Sequence, residues 1–424
     1  MVNRNVTLTS IKPWKHNNLQ YKNSKDVVNY MKRNAIFLSV LLFFASGLIV
    51  FSSCTDSEPE EPEEENRYED DSQYPKERLI LIYAIAANNL ETNLKLDMNE
   101  ILEAAPDLNI KNNAVLLYSV DNTGDCTLKK LVKNLSTNEY EFREETSFDQ
   151  LPLSTSEERI SEVIKYVSDN YDYPYKGLIL WSHADGWLPW FEGSSPSMSR
   201  RNSYGWDNFG GATYKTNITS LSEVIPENVF DFIWFDCCYM ANIETIFQLK
   251  DKTDCIIGSV MEIHSNGMPY NLTMPCLLRK DPQLIEASYR LFTSYEEESV
   301  PVSISVMDTH ALDYLAQIAG EIFQNCGSPQ NLTSIQTYQR NLTEKFYDLE
   351  QLLNSYSEIP LETKLKLKEV LKQVVKFKLI SKYDFNFRTI NVDDYSGLSM
   401  HNYIDNGSMN NQFYQILDWF KATR

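Results

Sequence analysis

A histidine and a cysteine stand directly beyond two apolar segments that are expected to be buried strands. His183 comes just after the apolar run 177–181, and Cys238 comes just after the run 230–235. Side chains at the carboxyl ends of neighbouring parallel strands meet at one edge of an open α/β sheet, where such proteins bind their ligands. A thiol beside an imidazole is the minimum apparatus of a cysteine peptidase, because the sulfur attacks the peptide carbonyl and the imidazole transfers the proton.

Each of these two residues also has an ordinary structural explanation. A histidine at a strand end can simply be a hydrogen-bonded structural residue, and a cysteine in apolar surroundings can be a small core residue. Their joint position after two strands joined by one crossover favours the catalytic interpretation. The segment 240–249 after Cys238 is predicted to be a helix, whose amino terminus would lower the pKa of the thiol.

The elements that must position this pair alternate between apolar strands and amphipathic helices. Buried strands are predicted at 79–85, 115–120, 177–181, 230–235, 255–259 and 302–307, with a late strand at 398–400. The longer helices are predicted after the capping box 154–158 and at 94–102, 338–353 and 361–377. This alternation predicts an α/β fold with a mostly parallel, doubly wound sheet, helices on both faces and a helical C-terminal extension.

Composition and charge exclude several kinds of site. The net charge of −20 argues against nucleic acid as a partner. The seven cysteines include no CxxC pair, and their spacing suggests neither a disulfide framework nor a zinc site. Residues 121–125 resemble half of a calcium loop, but the downstream glutamate is missing, which favours a polar turn. The expectation is therefore that no cofactor is required, with Ca²⁺ left open.

The amino terminus has the pattern of an export signal. Residues 1–30 contain no predicted packed element and are an unstructured leader, or they precede a start codon at Met31. Residues 31–54 form a basic start, an apolar run at 35–51 and two serines before Cys54. This predicts a lipoprotein signal peptide with Cys54 as the lipidated residue. The alternative is an uncleaved anchor helix, since the apolar run is at the lower limit of a membrane span.

The segment after Cys54 is strongly acidic. Residues 55–77 are predicted to be a flexible tether, because so few apolar side chains cannot support a packed core. The folded domain is predicted at 78–424. The acidic tether is open to two interpretations, a solvated spacer or a signal that sends the lipoprotein to the cell surface. The expected location is the cell envelope, at the outer membrane or exposed on its surface, with the lipid on Cys54 as the membrane contact.

Two longer motifs carry a resemblance to a known family. LWSHADGW at 180–187 and FDCCYM at 235–240 resemble motifs of the clostripain family of cysteine peptidases, which belongs to the caspase-like clan. Shorter similarities at 88–90, 205–207, 267–270 and 396–399 extend the resemblance over about 78–420. The resemblance implies a caspase-like α/β sandwich and hydrolysis of protein or peptide substrates through a thioester.

The resemblance also implies roles for individual residues. Cys238 matches the nucleophile and His183 matches the general base. Asp236 matches the acidic residue of the S1 pocket, which implies cleavage after Arg or Lys. Asp236 could also cap the following helix, and the two interpretations are compatible. The backbone N–H groups of Cys238 and Ala184 match the oxyanion donors.

Two positions depart from the family pattern. Ala184 stands where the family has glycine, and alanine reaches positive φ only at a cost. Cys237 stands where alanine is usual. The change at Ala184 predicts a slow enzyme or, as the alternative function, a catalytically inactive relative that binds peptides or glycans in the cell envelope.

A pair of basic residues lies between the histidine and cysteine motifs. Members of the family often cut themselves in this interval. Arg200 and Arg201 stand in a serine-rich segment and are the candidate self-cleavage sites. The alternative is an ordinary polar loop.

Overall fold

The computed structural model describes residues 68–190, 203–339, 344–404 and 407–424. The predicted leader, the signal peptide with Cys54, the tether up to residue 67 and the pair Arg200 and Arg201 lie outside the described residues. The strands of the described part are β1 (Arg78–Ile85), β2 (Asn113–Val120), β3 (Cys126–Asn134), β4 (Glu139–Phe148), β5 (Tyr175–Trp181), β6 (Tyr204–Phe209), β7 (Ala212–Thr216), β8 (Phe232–Asp236), β9 (Cys255–Gly258), β10 (Ser303–Asp308), β11 (Phe346–Asp348), β12 (Val375–Ile380) and β13 (Ser399–His401).

Nine of these strands form one sheet in the order β12-β10-β9-β8-β5-β1-β2-β3-β4. The central strands β2, β1, β5, β8 and β9 run parallel to one another. The outer strands β3 and β4 at one end, and β10 and β12 at the other, pair antiparallel. The prediction of an α/β fold with a mostly parallel central sheet is confirmed. The strand predicted at 302–307 is present but antiparallel.

The helices lie on both faces of this sheet. They are α1 (Glu91–Ala104), α2 (Glu157–Asn170), α3 (Ile218–Val224), α4 (Ile243–Gln248), α5 (Tyr270–Leu277), α6 (Leu284–Glu297), α7 (Leu312–Asn325), α8 (Leu349–Asn354), α9 (Leu361–Val374), α10 (Met409–Tyr414) and α11 (Asp418–Thr423). The apolar side chains of α1, α5 and α6 form a cluster on one face, and those of α2, α3, α4, α7 and α9 form a cluster on the other.

Strand β1 shows why the sequence forms a layered core. All eight of its residues are buried, because helices cover both faces of a parallel sheet. Successive side chains of a strand point to opposite faces. Leu79 and Leu81 therefore join the cluster on one face, whereas Ile80 and Ile82 join the cluster on the other.

Two predicted helices differ from the observed elements. The helix predicted at 361–377 ends at Val374, and the chain continues directly into β12. The helix predicted at 338–353 contains β11 followed by the short helix α8. Pairing of β11 with β13 overrides the local helical pattern, since strand preference depends on the partner that tertiary structure provides.

The acidic segment before β1 differs in part from the predicted tether. Asp71 forms ion pairs with Lys76 and with Lys130 of β3, and Glu69 pairs with Lys111. The backbone N–H of Glu69 also donates to the carbonyl of Lys133 at 3.1 Å. Lys111 and Lys130 thus link residues 68–77 to the domain, and the described fold begins before the predicted boundary at residue 78. Within the described ranges, no helix is both long and apolar enough to span a bilayer.

The strand directions bring several loops to one edge of the sheet. Strands β1, β5, β8 and β9 are parallel, so their carboxyl ends lie at the same edge. Strand β12 is antiparallel to β10, which is antiparallel to β9. The carboxyl end of β12 therefore points the same way as that of β9, and the segment that follows β12 emerges at the same edge.

Candidate active site

Neighbouring strands bring His183 and Cys238 to the same cleft. Strands β5 and β8 are paired in parallel, with Trp181 opposite Asp236. His183 and Cys238 each lie two residues beyond this pair, at corresponding positions of strands that are spaced about 4.8 Å apart. The two residues line one cleft of about 390 Å³. The sequence prediction that they share a common edge of the sheet therefore agrees with the geometry.

The cleft is open to solvent and has mixed polarity. Its walls come from the loops that follow β1, β5, β8, β9 and β12. The lining residues are Asn89, Leu90, Trp181, Ser182, His183, Asp236, Cys237, Cys238, Glu262, Ile263, His264, Ser265, Gly267 and Phe385. This is the place where ligands bind in open α/β sheets.

The imidazole of His183 is held by an asparagine. Its Nε2 lies 2.9 Å from Oδ1 of Asn89, in the loop after β1. Because an amide oxygen can only accept, Nε2 carries the hydrogen and Nδ1 is the basic nitrogen. The preceding Asn88 is buried and donates to the carbonyls of Ile85 and Trp206, which fixes the turn that presents Asn89.

The surroundings of His183 favour the neutral imidazole. Its ring centroid lies 4.3 Å from that of Trp206, and Lys215 lies over the same indole ring. Burial, together with the positive charge of Lys215, lowers the pKa of His183 to about 4. The imidazole is therefore uncharged at neutral pH and able to accept a proton.

The thiol of Cys238 is protonated in the free protein. Its Sγ accepts from the backbone N–H of Ile263 at 3.3 Å. Burial raises the pKa of Cys238 to about 12, and the carboxylates of Glu262, Asp185 and Asp236 act in the same direction. The prediction that a helix amino terminus lowers the pKa of this thiol is wrong, because helix α4 begins only at Ile243, after the cap residue Asn242.

The turn that carries the cysteines separates their roles. Cys237 is 2% exposed and packs in the apolar core, although it also borders the cleft. Tyr239 follows with φ of 63°, a left-handed conformation that is costly for a residue with a large side chain. Its N–H donates to the carbonyl of Met261, which holds the turn in place. Strained turns of this kind cluster at functional sites.

Asp236 forms a buried acidic wall beside the thiol. Its Oδ2 accepts from the N–H of Met268 and the hydroxyl of Tyr270, each at 3.0 Å. Its Oδ1 is buried and has no hydrogen-bond partner among the residues that the structure describes. Burial raises the pKa of Asp236 to about 6, so the carboxyl is largely ionised at neutral pH.

A glycine packs closely against this carboxylate. Gly267 has φ of +63°, and a Cβ added there would lie 2.9 Å from Oδ2 of Asp236 and 3.2 Å from Oδ1. Any larger residue would therefore crowd the carboxylate as well as strain the backbone. Glycine at this position therefore allows the loop after β9 to pack directly against Asp236.

A second buried carboxyl group lies behind Asp236. Oδ2 of Asp97 accepts from the indole N–H of Trp181 at 2.7 Å. Burial and the nearby charge of Asp236 raise the pKa of Asp97 to about 9. Asp97 is therefore neutral at pH 7, whereas Asp236 carries the negative charge of the pocket.

The backbone conformation of Ala184 tests the expectation that alanine at this position, in place of glycine, slows the enzyme. Ala184 is buried in the apolar core next to the cleft, and its φ lies outside the left-handed region. The backbone here does not require glycine, so the methyl group of alanine introduces no strain. Its position is also fixed, since the N–H of Gly205 donates to the carbonyl of His183 at 2.9 Å.

Among the cleft residues without a role assigned from the sequence, Asn89, Ile263 and Phe385 are singled out by the structure. Asn89 was part of a short family match, but nothing indicated that it contacts His183. Ile263 acts through its backbone, which leaves no sequence signal. Phe385 comes from a distant segment whose place depends on β12, which the helical pattern concealed.

Comparisons with known proteins bear on the family and the fold of this chain. The family model of the clostripain family matches residues 82–422. No curated protein sequence matches the chain. Three similar solved structures are C11 cysteine proteases and are described next.

The three structures each match 82% of this chain. A secreted C11 cysteine protease from Bacteroides thetaiotaomicron, in complex with an irreversible peptide inhibitor, is 24% identical over 99% of its own chain, with a TM-score of 0.71. An inactive zymogen C11 protease from Parabacteroides distasonis is 25% identical over 98% of its chain, with a TM-score of 0.70. The secreted C11 protease iotapain from Bacteroides thetaiotaomicron is 22% identical over 99% of its chain, with a TM-score of 0.71.

These likenesses support the caspase-like α/β fold expected from the sequence motifs. The family match spans the histidine motif, the cysteine motif and the C-terminal strands together. The resemblance that the sequence motifs indicated is therefore confirmed, and the protein belongs to the clostripain family of cysteine peptidases.

Proposed function

We propose that this peptidase cleaves peptide bonds after Arg or Lys, with Cys238 as nucleophile and His183 as general base. The observation that carries the specificity is the buried carboxylate of Asp236, whose Oδ1 has no hydrogen-bond partner in the described part of the chain. A guanidinium or ammonium group in the cleft would supply that partner. Charge-assisted hydrogen bonds to a desolvated carboxylate are about twice as strong as neutral ones.

The reaction starts from a neutral thiol and a neutral imidazole. The raised pKa of Cys238 and the lowered pKa of His183 both favour this uncharged pair. As Sγ attacks the scissile carbonyl carbon, Nδ1 of His183 takes the thiol proton and then gives it to the leaving amine. Water attacks the resulting thioester, and the acid product and the free thiol are released.

The backbone N–H of Cys238 is the proposed donor to the oxyanion of the tetrahedral intermediate. A second contribution from Ala184 requires its N–H to face the cleft while its methyl group stays in the core. Loss of one such donor lowers the rate about 10²–10³-fold, so the two backbone N–H groups would contribute strongly to catalysis.

Labelling with peptidyl electrophiles tests this function directly. A peptide with C-terminal arginine linked to a thiol-reactive group should modify Cys238, and the modified peptide should be identified by mass spectrometry. The matched probe with aspartate at the same position should label slowly, because its charge repels Asp236. Modification of Cys237, or equal labelling by both probes, would contradict the assignment. A protein that only binds peptides would not react at Cys238.

The pH dependence of activity is expected to reflect the ionisation of the Asp236 carboxyl group. The pKa of Asp236 is raised to about 6, so its negative charge is lost as pH falls through that value. For an arginine substrate, kcat/KM should fall about tenfold per pH unit below 6. His183 has a pKa of about 4 and does not contribute until lower pH. A matched citrulline substrate lacks the charge and should show no fall near pH 6. A fall at pH 6 with both substrates would instead implicate a group acting on the chemistry.

Asn89 is proposed as a positioning residue for His183. Replacing it with alanine removes the acceptor of Nε2, and kcat is expected to fall about tenfold with little change in KM, a part of what general acid–base catalysis contributes. Asn89→Asp keeps an acceptor but adds a negative charge. That charge stabilises the imidazolium, so the acid limb of kcat should move from about 4 towards the usual pKa of histidine. An unmoved pH profile in Asn89→Asp would show that the side chain has no effect on the imidazole.

We also propose self-cleavage after Arg200 or Arg201. Two consecutive arginines match the proposed specificity and stand between β5 and β6 in the sequence. One similar structure is that of an inactive zymogen, which motivates the idea of processing. The purified protein should give two fragments by mass spectrometry, and Cys238→Ala should remain intact. An intact and fully active wild-type chain would contradict the proposal.

The membrane attachment is a further proposal. The basic start, the apolar run and Cys54 support a lipoprotein of the cell envelope whose acidic segment leads to the folded domain. Metabolic labelling with a radioactive fatty acid should mark the wild-type protein and not Cys54→Ala. The unlabelled variant should leave the membrane fraction. Labelling that persists in Cys54→Ala would refute lipidation at this residue.

Catalysis by the thiol and imidazole is proposed to need no cofactor. Activity should therefore survive dialysis against a chelator. A loss that added Ca²⁺ restores would show that calcium has a role.

A further inference from the structure

A short aromatic hairpin lies at the edge of the cleft. It spans residues 383–389 and follows β12, with Tyr383 and Thr389 joined by an antiparallel bridge. Two of its residues are phenylalanines with different surroundings. Phe385 is half-buried and lines the cleft that holds Cys238, whereas Phe387 is 86% exposed at the tip.

The hairpin is held in one conformation by Asp384. This residue is 4% exposed, and its Oδ1 accepts from the N–H groups of Asn386 and Arg388, each at 2.9 Å. Its Oδ2 accepts from Nε of Arg388 at 2.5 Å. The guanidinium of Arg388 also donates to the carbonyl of Gln339 at 2.9 Å, which ties the hairpin to a second segment. Phe385 is therefore presented on a fixed support and needs little ordering when a ligand binds.

The order of the strands shows which part of a peptide meets Phe385. His183 follows β5, Cys238 follows β8, and the hairpin follows β12, which lies beyond β9 and β10 on the opposite side of Cys238 from His183. In the proposed reaction His183 protonates the leaving amine, so the residues after the scissile bond lie on the side of His183. The residues before the scissile bond then extend from Cys238 towards β9 and β12.

The neighbouring pocket fixes the register on that side. The basic residue of the substrate is proposed to reach Asp236, which lies at the end of β8 and lines the cleft together with Gly267 from the loop after β9. The next residue towards the substrate amino terminus lies farther from Cys238, where the aromatic ring of Phe385 forms part of the wall. An aromatic wall next to a cleft favours a large apolar side chain, since its burial removes apolar area from water on both partners.

We propose that Phe385 forms a subsite for a large apolar residue immediately before the basic residue of the substrate. This inference rests on the proposed cleavage after Arg or Lys. It assigns the substrate class as peptides with an apolar–basic pair. Leu-Arg and Phe-Arg sequences should therefore be cleaved better than Gly-Arg or Asp-Arg sequences.

The test uses two peptides that differ only in the residue before arginine, leucine or glycine. The wild-type enzyme should show a kcat/KM ratio of about 10 in favour of leucine. Phe385→Ala should bring that ratio close to 1 by slowing cleavage of the leucine peptide, with little effect on the glycine peptide. Phe387→Ala is the matched control, because it removes the same side chain from the same hairpin outside the cleft wall. It should keep the wild-type ratio.

The outcomes separate this inference from the proposed function. A wild-type ratio near 1, with efficient cleavage of both arginine peptides, would overturn the subsite and leave the specificity for arginine intact. No cleavage of either peptide would instead contradict the proposed function on which the subsite depends. An equal loss on both peptides in Phe385→Ala, with an unchanged thermal transition, would also overturn the subsite, since the ring would then act on the reaction and not on the neighbouring residue.

Discussion

Replacing Cys238 with alanine is expected to abolish hydrolysis of arginine and lysine peptides, with a fall in kcat on the order of 10⁴-fold or more. The variant lacks the only atom that the proposed mechanism uses to attack the carbonyl carbon. Its folding should change little, because the thiol is half-buried at the cleft and its hydrogen-bond contacts are with the backbone of Ile263. Steady-state rates on matched arginine and lysine peptides provide the measurement.

The adjacent cysteine provides the control. Cys237→Ala changes the same functional group one position earlier, but that side chain is 2% exposed in the core. It should retain most of the activity, with at most a small decrease in thermal stability. If Cys237→Ala abolished activity while Cys238→Ala did not, Cys237 would be the nucleophile. If Cys238→Ala and the double variant Cys237→Ala/Cys238→Ala both hydrolysed the peptides at the wild-type rate, catalysis by either thiol would be excluded.

Replacing Asp236 with asparagine is expected to remove the preference for basic residues. The change keeps the shape of the side chain and an acceptor for Met268 and Tyr270, but it removes the negative charge. Loss of one partner from a buried charge pair costs about 2–5 kcal/mol, so kcat/KM for an arginine peptide should fall about 10²-fold or more. The rate on the matched citrulline peptide should stay nearly unchanged, which separates lost recognition from lost chemistry.

Asp97→Asn is the control for this experiment. Asp97 is buried close to Asp236, but burial raises its pKa to about 9 and the group is already neutral at pH 7. Asparagine there keeps the acceptor for the indole N–H of Trp181. The arginine preference should therefore persist. If Asp97→Asn lost the preference while Asp236→Asn kept it, the charge that selects the substrate would have been assigned to the wrong carboxyl group.

The local features of the fold could be predicted from the sequence. The continuous apolar runs at β1, β2 and β5 predict strands buried on both faces, and the structure has them. The hairpin β3–β4 was not predicted. Strand β4 has no fully buried side chain and the hairpin lies at the edge of the sheet, so its pattern is weaker than that of a fully buried strand.

The C-terminal half shows where local preference loses to packing. The pattern 361–377 is helical by composition, but its last residues pair with β10 as the edge strand β12. Only that pairing brings the chain to the edge of the sheet that holds His183 and Cys238, and it places Phe385 in the cleft. If the helix continued to residue 377, the hairpin at 383–389 would lie elsewhere.

By itself, the sequence determined the family, the strands and the two residues at their carboxyl ends, because apolar runs and motif residues are local and can be read in order. The tertiary structure alone decided that Asn89 holds His183, that burial keeps Cys238 protonated, and that one oxygen of Asp236 has no hydrogen-bond partner among the described residues. These properties depend on contacts between segments far apart in the chain and on how much water each group retains. Both are consequences of packing, which no local pattern of residues specifies.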